Sequence, residues 1–366
     1  MMLKTRRVKI VTGLKCNIRC VFCYYQDNLK APNRTYDNIA KDLAYAARHG
    51  IQAVDFSGGE PTTHPRLGDL IRAAKALGMQ KVAIISNGWK LADRSYLRSL
   101  RDSGLDEILF SVHGSKSTVH EELTSTAGSF ERIADALANA LEEGLEIRTN
   151  TVVNRVNLDD LTEIALFVLN FKPKQVNFIT INDWCFAKHL IDSLMLTYSE
   201  MSPHLIAACD LLEEQVDEVN VRYIPFCFMK GYERFVCNHK QVQYDRYEWV
   251  PRVRARLEVQ NNLFRYLGIL SYGFFIAGGF KNLGRMAFPG VLDECVVEAL
   301  RKWFYTKHPN CSSCRLNLIC DGVENTYAKS FGLGELSPVL GERVVNPVFF
   351  AEGKKIPETV LADAQN

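Results

Sequence analysis

Short apolar runs alternate along the chain with segments in which apolar side chains recur at helical spacing. The first run, residues 8–11, is closed by Thr12-Gly13. Residues 38–50 carry Ile39, Leu43 and Ala46 on one helical face and end on a glycine, as helices often do. Residues 53–57 then form another apolar run before Gly58. The pattern therefore predicts strand, helix and strand in succession.

The same unit repeats as far as residue 183. Strands are predicted at 81–86, 107–112, 146–153 and 175–181, and helices at 65–77, 91–103, 130–143 and 158–170. Six strands alternating with helices predict an α/β fold with a parallel sheet, either a partial barrel or an open doubly wound sheet. Polar residues, including Asn87, His113 and Asn154, follow the predicted strands. Because such folds place their sites at the carboxyl ends of the strands, we expect the functional site there.

The alternation stops after Asp183. We predict a core domain at 1–183, a helical connector at 184–222 and a smaller cysteine-rich region at 223–366. The most apolar stretch, Leu267 to Phe280, contains four glycines and is shorter than the roughly 18 to 20 residues that span a bilayer. It is interpreted as a buried segment, with contact to a membrane surface as the alternative.

Composition narrows the possible functions. The 366 residues include 44 basic and 42 acidic side chains, so the net charge of +2 gives no overall attraction to nucleic acid or acidic membranes, although local patches remain possible. The first 15 residues lack the apolar core of a secretion signal, which predicts a cytoplasmic protein. Eleven cysteines in such a chain indicate metal or redox chemistry more than disulfides.

Three of these cysteines, Cys16, Cys20 and Cys23, lie within eight residues of one loop. Thiolate sets of this kind suit iron–sulfur clusters or zinc. A structural zinc site requires four ligands, and no fourth cysteine or histidine is near in the sequence. The trio therefore favours a cluster with one open iron, and reduced thiols without a metal are the alternative.

A second set of cysteines occurs late in the chain: Cys227, Cys237, Cys311, Cys314 and Cys320. Five thiols suffice for one four-cysteine cluster and not for two. Structural zinc suits a four-cysteine site equally well. Cys185, Cys209 and Cys295 are interpreted as buried thiols.

The Cys-x3-Cys-x2-Cys spacing with Phe22 before the last cysteine, followed one βα unit later by Gly58-Gly59-Glu60-Pro61, resembles the radical S-adenosylmethionine (radical SAM) enzymes. This resemblance covers about residues 8–183 and implies a partial (β/α)6 barrel. It implies a [4Fe-4S] cluster on Cys16, Cys20 and Cys23, with SAM chelating the fourth iron. It also implies reductive cleavage of SAM to a 5′-deoxyadenosyl radical, and a flavodoxin- or ferredoxin-type electron donor.

The same resemblance implies a set of cofactor-binding residues. They are Phe22, Gly58, Gly59, Glu60, Pro61, Asn87, Ser111, His113 and Asn150. The sequence does not identify a catalytic acid or base. Tyr24, Tyr25, Asp183, Trp184 and His189 lie near predicted strand ends or the cysteine loop, and each is as consistent with a structural role.

Cys311-x2-Cys314-x5-Cys320 is similar to the auxiliary-cluster motifs of the SPASM and twitch subfamilies, although no cysteine follows Cys320. The resemblance implies an auxiliary [4Fe-4S] cluster, which could bind substrate through a free iron or, with four cysteines, accept an electron. Five candidate thiols favour electron acceptance and hence net oxidation, with a rearrangement as the other outcome. Because the chain begins almost at its first strand, we expect a small polar substrate such as a sugar, nucleoside or amino-acid derivative, with a peptide as the alternative. An iron–sulfur electron-transfer protein and a zinc-stabilised interaction module are the hypotheses from other classes.

Overall fold

The computed structural model describes residues 7–23, 25–26, 29–181, 193–241, 255, 258 and 304–351. These residues contain one large sheet of seven parallel strands in which spatial order follows chain order. The strands are β1 (Arg7–Val11), β2 (Ala53–Ser57), β3 (Lys81–Ser86), β4 (Glu107–Ser111), β5 (Glu146–Val153), β6 (Gln175–Thr180) and β7 (Glu218–Arg222). Each strand therefore pairs with its successor, as the repeated unit predicts, and the α/β fold with a partial barrel is confirmed.

Helices connect the strands of the sheet. They are α1 (Tyr36–Arg48), α2 (Leu67–Ala76), α3 (Arg94–Asp102), α4 (Ser117–Thr124), α5 (Ser129–Glu142), α6 (Leu161–Leu169) and α7 (Tyr198–Leu212). Their apolar faces pack on the sheet in one continuous core. In α1, for example, Ile39, Leu43 and Ala46 are buried, the helical spacing that the sequence shows.

The sheet has two faces that differ in composition. Along β5 the alternate residues Ile147 and Val153 belong to the core shared with the helices. Residues 148, 150 and 152, which alternate with this set, lie on the concave face. There Arg148 Nη2 lies 2.8 Å from Asp55 Oδ1. On the same face Arg7 of β1 lies 3.0 Å from Glu107 of β4. Contact between strands three places apart shows that the sheet curls into a half-barrel.

The seventh strand lies in the segment that the sequence analysis predicted to be helical. The helical part is α7, which begins with a capping box in which Thr197 and Glu200 satisfy each other's backbone N–H. The chain then turns back, and β7 adds to the edge of β6 with Val219 and Val221 buried. Five residues with two apolar side chains are too weak a pattern to identify without the edge of β6 beside them. The three predicted domain boundaries stay a prediction.

The described C-terminal part forms a small unit after residue 304. Strands β8 (Tyr305–Thr306) and β9 (Val323–Glu324) pair in antiparallel fashion, and helix α8 (Asn325–Phe331) follows. No helix in the described part of the chain is long and apolar enough to cross a membrane. Several residues singled out from the sequence lie outside the described residues: Tyr24, Asp183, Trp184, Cys185, His189, Cys295 and the stretch 267–280.

Candidate functional site

The loop that carries the first three cysteines follows β1 and is held by backbone hydrogen bonds to distant parts of the chain. The N–H of Cys16 donates to the carbonyl of Leu29 (3.1 Å), and the N–H of Val21 donates to that of Leu123 (2.9 Å) at the end of α4. The Gln26 side chain donates to the carbonyl of Cys20 (2.8 Å). The sheet and α4 therefore fix the loop from both sides at the carboxyl end of β1.

The three thiols lie close enough to affect one another's ionisation. Burial, together with the nearby Glu60 and Cys23, raises the pKa of Cys16 to about 12. Burial, followed by Cys23 and Cys16, raises the pKa of Cys20 well above its ordinary value. Burial also raises the pKa of Cys23. The raised pKa values mean that these partly buried thiols resist ionisation on their own, and a cationic centre among them would stabilise the thiolate forms, so this donor set fits an iron–sulfur cluster.

Gly58 and Gly59 at the end of β2 pack against the backbone of the cysteine loop. The N–H of Gly59 donates to the carbonyl of Gly13, and the N–H of Glu60 donates to that of Lys15, both at 2.8 Å. A Cβ on Gly59 would lie 2.2 Å from the Lys15 carbonyl oxygen, and one on Gly58 would lie 2.1 Å from that of Gly13. Both glycines are therefore required for docking of the loop, a role that the sequence analysis did not consider.

The carboxylate of Glu60 is buried between the ends of β2 and β3. It accepts hydrogen bonds from the backbone N–H and the hydroxyl of Thr62, from the hydroxyl of Ser86 and from the N–H of Asn87, at 2.7 to 3.0 Å. Burial raises the pKa of Glu60, whereas all four donors favour the ionised form. Pro61 begins a short 3-10 turn and is buried. Glu60 thus fixes the strand ends on which the cysteine loop lies.

Asn87, at the end of β3, contacts the first cysteine directly. Its side-chain amide donates to the Cys16 sulfur at 3.7 Å and to the Asn17 side-chain oxygen at 2.9 Å. Its own oxygen accepts the N–H of Trp89. This predicted cofactor residue therefore lies beside the thiol set, where an N–H donor to sulfur influences the electronic properties of a bound cluster.

The ring of Phe22, which belongs to the cysteine loop, contacts the imidazole of His113 after β4. Their ring centroids are 4.7 Å apart with the planes nearly perpendicular. His113 Nδ1 accepts the N–H of Val152 (3.3 Å), and the His113 N–H donates to His120 Nδ1 (3.2 Å). Burial lowers the pKa of His113 well below its ordinary value and that of His120 to about 4. Both imidazoles are therefore neutral, with the proton on Nε2.

Ser111 and Asn150 are register partners on β4 and β5. They lie on the concave face, in one row with Asn177 of β6. The cofactor roles predicted for Ser111 and Asn150 rest on this position and stay a prediction.

Four of the five distal cysteines come together in the C-terminal part. Burial, together with the nearby thiols of Cys320 and Cys311, raises the pKa of Cys227 to about 12. Burial, followed by the charge of Cys314, raises the pKa of Cys311. Thiols 75 or more residues apart in sequence are thus neighbours in space, as a four-thiolate centre requires.

Backbone N–H groups point at these sulfur atoms. The N–H of Val339 donates to the sulfur of Cys314 at 3.3 Å, and the N–H of Gly322 to that of Cys320 at 3.4 Å. Such donors stabilise thiolates on a metal or a cluster. Cys237 is held beside the sheet, where its N–H donates to the Val221 carbonyl (2.9 Å). The four-thiol set Cys227, Cys311, Cys314 and Cys320 fits the auxiliary centre, and Cys237 is the fifth candidate.

Neither thiol set has the spacing of a mononuclear metal site. Within the described residues no three His, Cys, Asp or Glu side chains are arranged to hold one metal ion. The fit to a metal centre therefore rests on the proximity of the thiols and on their N–H donors.

The structure adds residues that the sequence analysis missed. Thr62 and Ser86 orient Glu60, and Leu123 and Thr124 anchor the cysteine loop through their carbonyls. Ser86 precedes Asn87-Gly88 at a strand end, so its position was a usable signal. The contacts of the α4 carbonyls could not be predicted from the sequence, because every residue has a backbone carbonyl.

A comparison with known families bears on this site. Residues 10–168 match the model of the Radical SAM superfamily. Over that segment the chain is similar to radical SAM domains. The segment includes the three loop cysteines, Gly58 to Pro61, the end of β1 and strands β2 to β5, so the predicted likeness to this superfamily is confirmed over this segment. The match does not extend to the C-terminal part, where the SPASM or twitch likeness stays a prediction.

Curated relatives are similar to about half of the chain. GTP 3′,8-cyclase of Aquifex aeolicus is 29% identical over 199 residues, which are 51% of this chain and 61% of the relative. A probable GTP 3′,8-cyclase of Saccharolobus islandicus is 29% identical over 172 residues, which are 46% of this chain and 54% of that protein. The chain thus spans little more than half the length of these relatives.

Among solved structures, Streptococcus suis SuiB bound to S-adenosylmethionine aligns with a TM-score of 0.48 and 18% identity, covering 58% of this chain and 48% of that one. Methylornithine synthase aligns with a TM-score of 0.47 and 16% identity, covering 61% and 65%.

Proposed function

We propose that this protein is a radical SAM enzyme that abstracts hydrogen from a small polar metabolite. The observation that carries the proposal is the docking of the Cys16, Cys20 and Cys23 loop onto Gly58 to Glu60 within the matched domain. When bound, the [4Fe-4S] cluster would supply one electron to the sulfonium of SAM, and cleavage of a C–S bond would give methionine and a 5′-deoxyadenosyl radical able to remove hydrogen from a C–H bond.

The residues of the chain position these groups. Cys16, Cys20 and Cys23 would hold three irons, and Asn87 would donate a hydrogen bond to the Cys16 sulfur. Glu60 and its four donors keep the ends of β2 and β3 rigid. Phe22 packs against the neutral His113, so the loop contacts an apolar and uncharged surface on this side. A site so enclosed excludes water from a reactive radical.

A small-molecule substrate is supported by the relatives, which are named as cyclases of a nucleotide. The concave face offers a row of polar side chains that runs from Ser111, the last residue of β4, to Asn220 in the middle of β7, as binding of a polar metabolite requires. A one-electron donor of the flavodoxin or ferredoxin type would reduce the cluster.

For the distal set, we propose one auxiliary [4Fe-4S] cluster held by Cys227, Cys311, Cys314 and Cys320. Four thiolates leave no open iron, which suits acceptance of an electron and hence net oxidation of the substrate. A zinc ion on the same four thiols would instead be structural.

Anaerobic reconstitution with iron and sulfide, followed by incubation with SAM and dithionite, tests the proposal. We expect visible charge-transfer absorbance and formation of 5′-deoxyadenosine. Clusters without 5′-deoxyadenosine would indicate an electron-transfer protein, and zinc without iron would indicate an interaction module. Either result would overturn the proposed function.

A further inference from the structure

A buried arginine lies where the first strand passes into the cysteine loop. Arg34 follows that loop and precedes α1, and the exposed fraction of its side chain is 1%. Its backbone N–H donates to the Thr12 carbonyl and its Nη1 donates to the Val11 carbonyl, both at 2.9 Å. These carbonyls belong to the last residue of β1 and the residue after it. Arg34 therefore fixes the point at which the cysteine loop begins.

The backbone around Arg34 also contacts the turn that follows β2. The Arg34 carbonyl accepts a hydrogen bond from His64 Nε2 (3.1 Å), because His64 Nδ1 accepts a backbone N–H and leaves the proton on Nε2. Asn33 pairs with Gly13 in an isolated antiparallel bridge, and its Nδ2 donates to the Thr63 carbonyl (3.0 Å). This segment thus connects the cysteine loop to the turn on which the loop is docked.

Two carboxylates from different parts of the chain bind the guanidinium. Arg34 Nη2 lies 2.9 Å from Oδ2 of Asp42 in α1, and Arg34 Nε lies 2.7 Å from Oε2 of Glu258, which is 224 residues away in sequence. The other oxygen of Glu258 accepts a hydrogen bond from Asn38 Nδ2 in α1 (3.0 Å). All three guanidinium nitrogens and both Glu258 oxygens are therefore engaged, so the C-terminal region completes the set of partners of Arg34.

The two carboxylates differ in how readily they can be removed. The Asp42 side chain is fully buried, so its loss would leave a buried cation with poor compensation. The Glu258 side chain is 28% exposed, so water can take its place at moderate cost. Because Asp42 already supplies one negative charge, Glu258 fixes the orientation of the guanidinium more than it neutralises it. Ala255, three residues earlier, is 2% exposed, so the chain is packed on this side of Glu258.

We propose that Glu258 is a positioning residue of the SAM site, which acts through Arg34 to hold the start of the cysteine loop. This inference rests on the proposed function, because it assigns Glu258 to the site of that reaction. While Glu258 contacts Arg34, the carbonyls of Val11 and Thr12 are held and the loop stays docked on the turn after β2. When the contact is lost, Arg34 keeps Asp42 but can shift, and the loop shifts with it. Binding of SAM thus depends on contact between the C-terminal region and α1.

Two measurements on the full chain test this role. Hydrogen exchange followed by mass spectrometry reports opening of residues 10–16 and 32–36, before and after anaerobic reconstitution. Calorimetry on the reconstituted protein reports SAM binding. In Glu258→Ala we expect exchange in both peptides to be about tenfold faster and SAM to bind about tenfold more weakly, as for loss of one hydrogen bond to a charged group.

Matched variants separate positioning from a general loss of stability. Glu258→Gln can still accept a hydrogen bond from Arg34, so it should lose less protection and less SAM affinity than Glu258→Ala. Glu258→Lys places a second cation beside Arg34 and should lose the most. Glu163→Ala, at an exposed position of α6, is the control and should resemble the wild type. Electron paramagnetic resonance of the N-terminal cluster with SAM should change in Glu258→Ala, whereas the signal of the distal cluster should not.

Two results would overturn the inference: unchanged exchange and SAM affinity in folded Glu258→Ala and Glu258→Lys, or faster exchange spread evenly over the sheet. Formation of 5′-deoxyadenosine is assayed on the same preparations. Cleavage of SAM by the wild type without any effect of Glu258 would remove only this inference. Faster exchange of the two peptides in the variants, without cleavage by the wild type, would remove the proposed function and leave Glu258 as a residue that holds the loop.

Discussion

The two thiol sets of this protein are built in different ways. The N-terminal set lies on one loop, and its surroundings come from separate strand ends: Glu60 after β2, Asn87 after β3 and His113 after β4. The distal set comes from two segments, and its sulfur atoms receive N–H groups from neighbouring turns such as Gly322 and Val339. The first set is thus held by the sheet and has three thiols, whereas the second has four.

This difference indicates that the two thiol sets have different functions. Three thiols at the carboxyl end of a parallel sheet leave a place for a ligand, which is where βα folds bind substrates. Four thiols leave none, which suits structure or electron transfer. The following experiments test whether the two thiol sets differ in this way, in order of decreasing expected effect.

Removal of one thiol set at a time should give the largest effect. Cys16/Cys20/Cys23→Ala should abolish 5′-deoxyadenosine formation and lower iron from about eight to about four atoms per chain. Cys311/Cys314→Ala should also lower iron to about four but leave SAM cleavage measurable. Iron, zinc and 5′-deoxyadenosine are determined on both variants. Zinc in place of iron in the first variant would show that the distal set is a zinc site.

A single methyl group on Gly59 should act on the N-terminal set alone. In Gly59→Ala the new Cβ would collide with the carbonyls of Lys15 (2.2 Å) and Leu14 (2.4 Å), so the loop must move. We expect most of the iron of the first set and SAM binding to be lost, with the distal centre intact. Gly334→Ala has open space at that position and is the matched control. Full SAM binding by Gly59→Ala would contradict the proposed docking.

Acid should weaken the N-terminal half through the buried histidine pair. An unfolded histidine has a pKa of about 6.5, and that of His120 is lowered to about 4. The folded form thus binds fewer protons, so the contribution of His120 is complete above about pH 6.5 and is lost as the pH falls toward 4. His120→Gln should flatten the fall in unfolding temperature between pH 7 and pH 5. An unchanged slope would show that His120 is not buried and neutral, and exposed His49→Gln is the control.

The smallest effect is expected from loss of one hydrogen bond to sulfur. Asn87→Ala removes the amide that donates to Cys16. Because N–H donors raise the potential of a cluster, the midpoint of the N-terminal cluster should fall by an amount on the order of tens of millivolts. The distal cluster in the same protein is the internal control in a redox titration followed by electron paramagnetic resonance. Equal shifts at both clusters would rule out a local effect of Asn87.

Much of this molecule was determined by the sequence alone. Alternation of apolar runs with helical segments is a local property, so β1 to β6 and their helices could be predicted. The spacing of Cys16, Cys20 and Cys23 is also local, because one loop carries all three. Gly58 to Pro61 identified the neighbouring strand end before any contact was known.

The tertiary structure alone decided what depends on contacts between distant residues. Strand β7, with two apolar side chains, has too weak a pattern to predict without the edge of β6. The grouping of Cys227 with Cys311 and Cys320 required the chain to close over more than 80 residues. The need for glycine at 58 and 59 was visible only once the carbonyls of residues 13 to 15 lay beside them. The alignment of Asn150, Asn177 and Asn220 likewise depends on the register of three strands, and register is fixed by the packing of the opposite face rather than by any one strand.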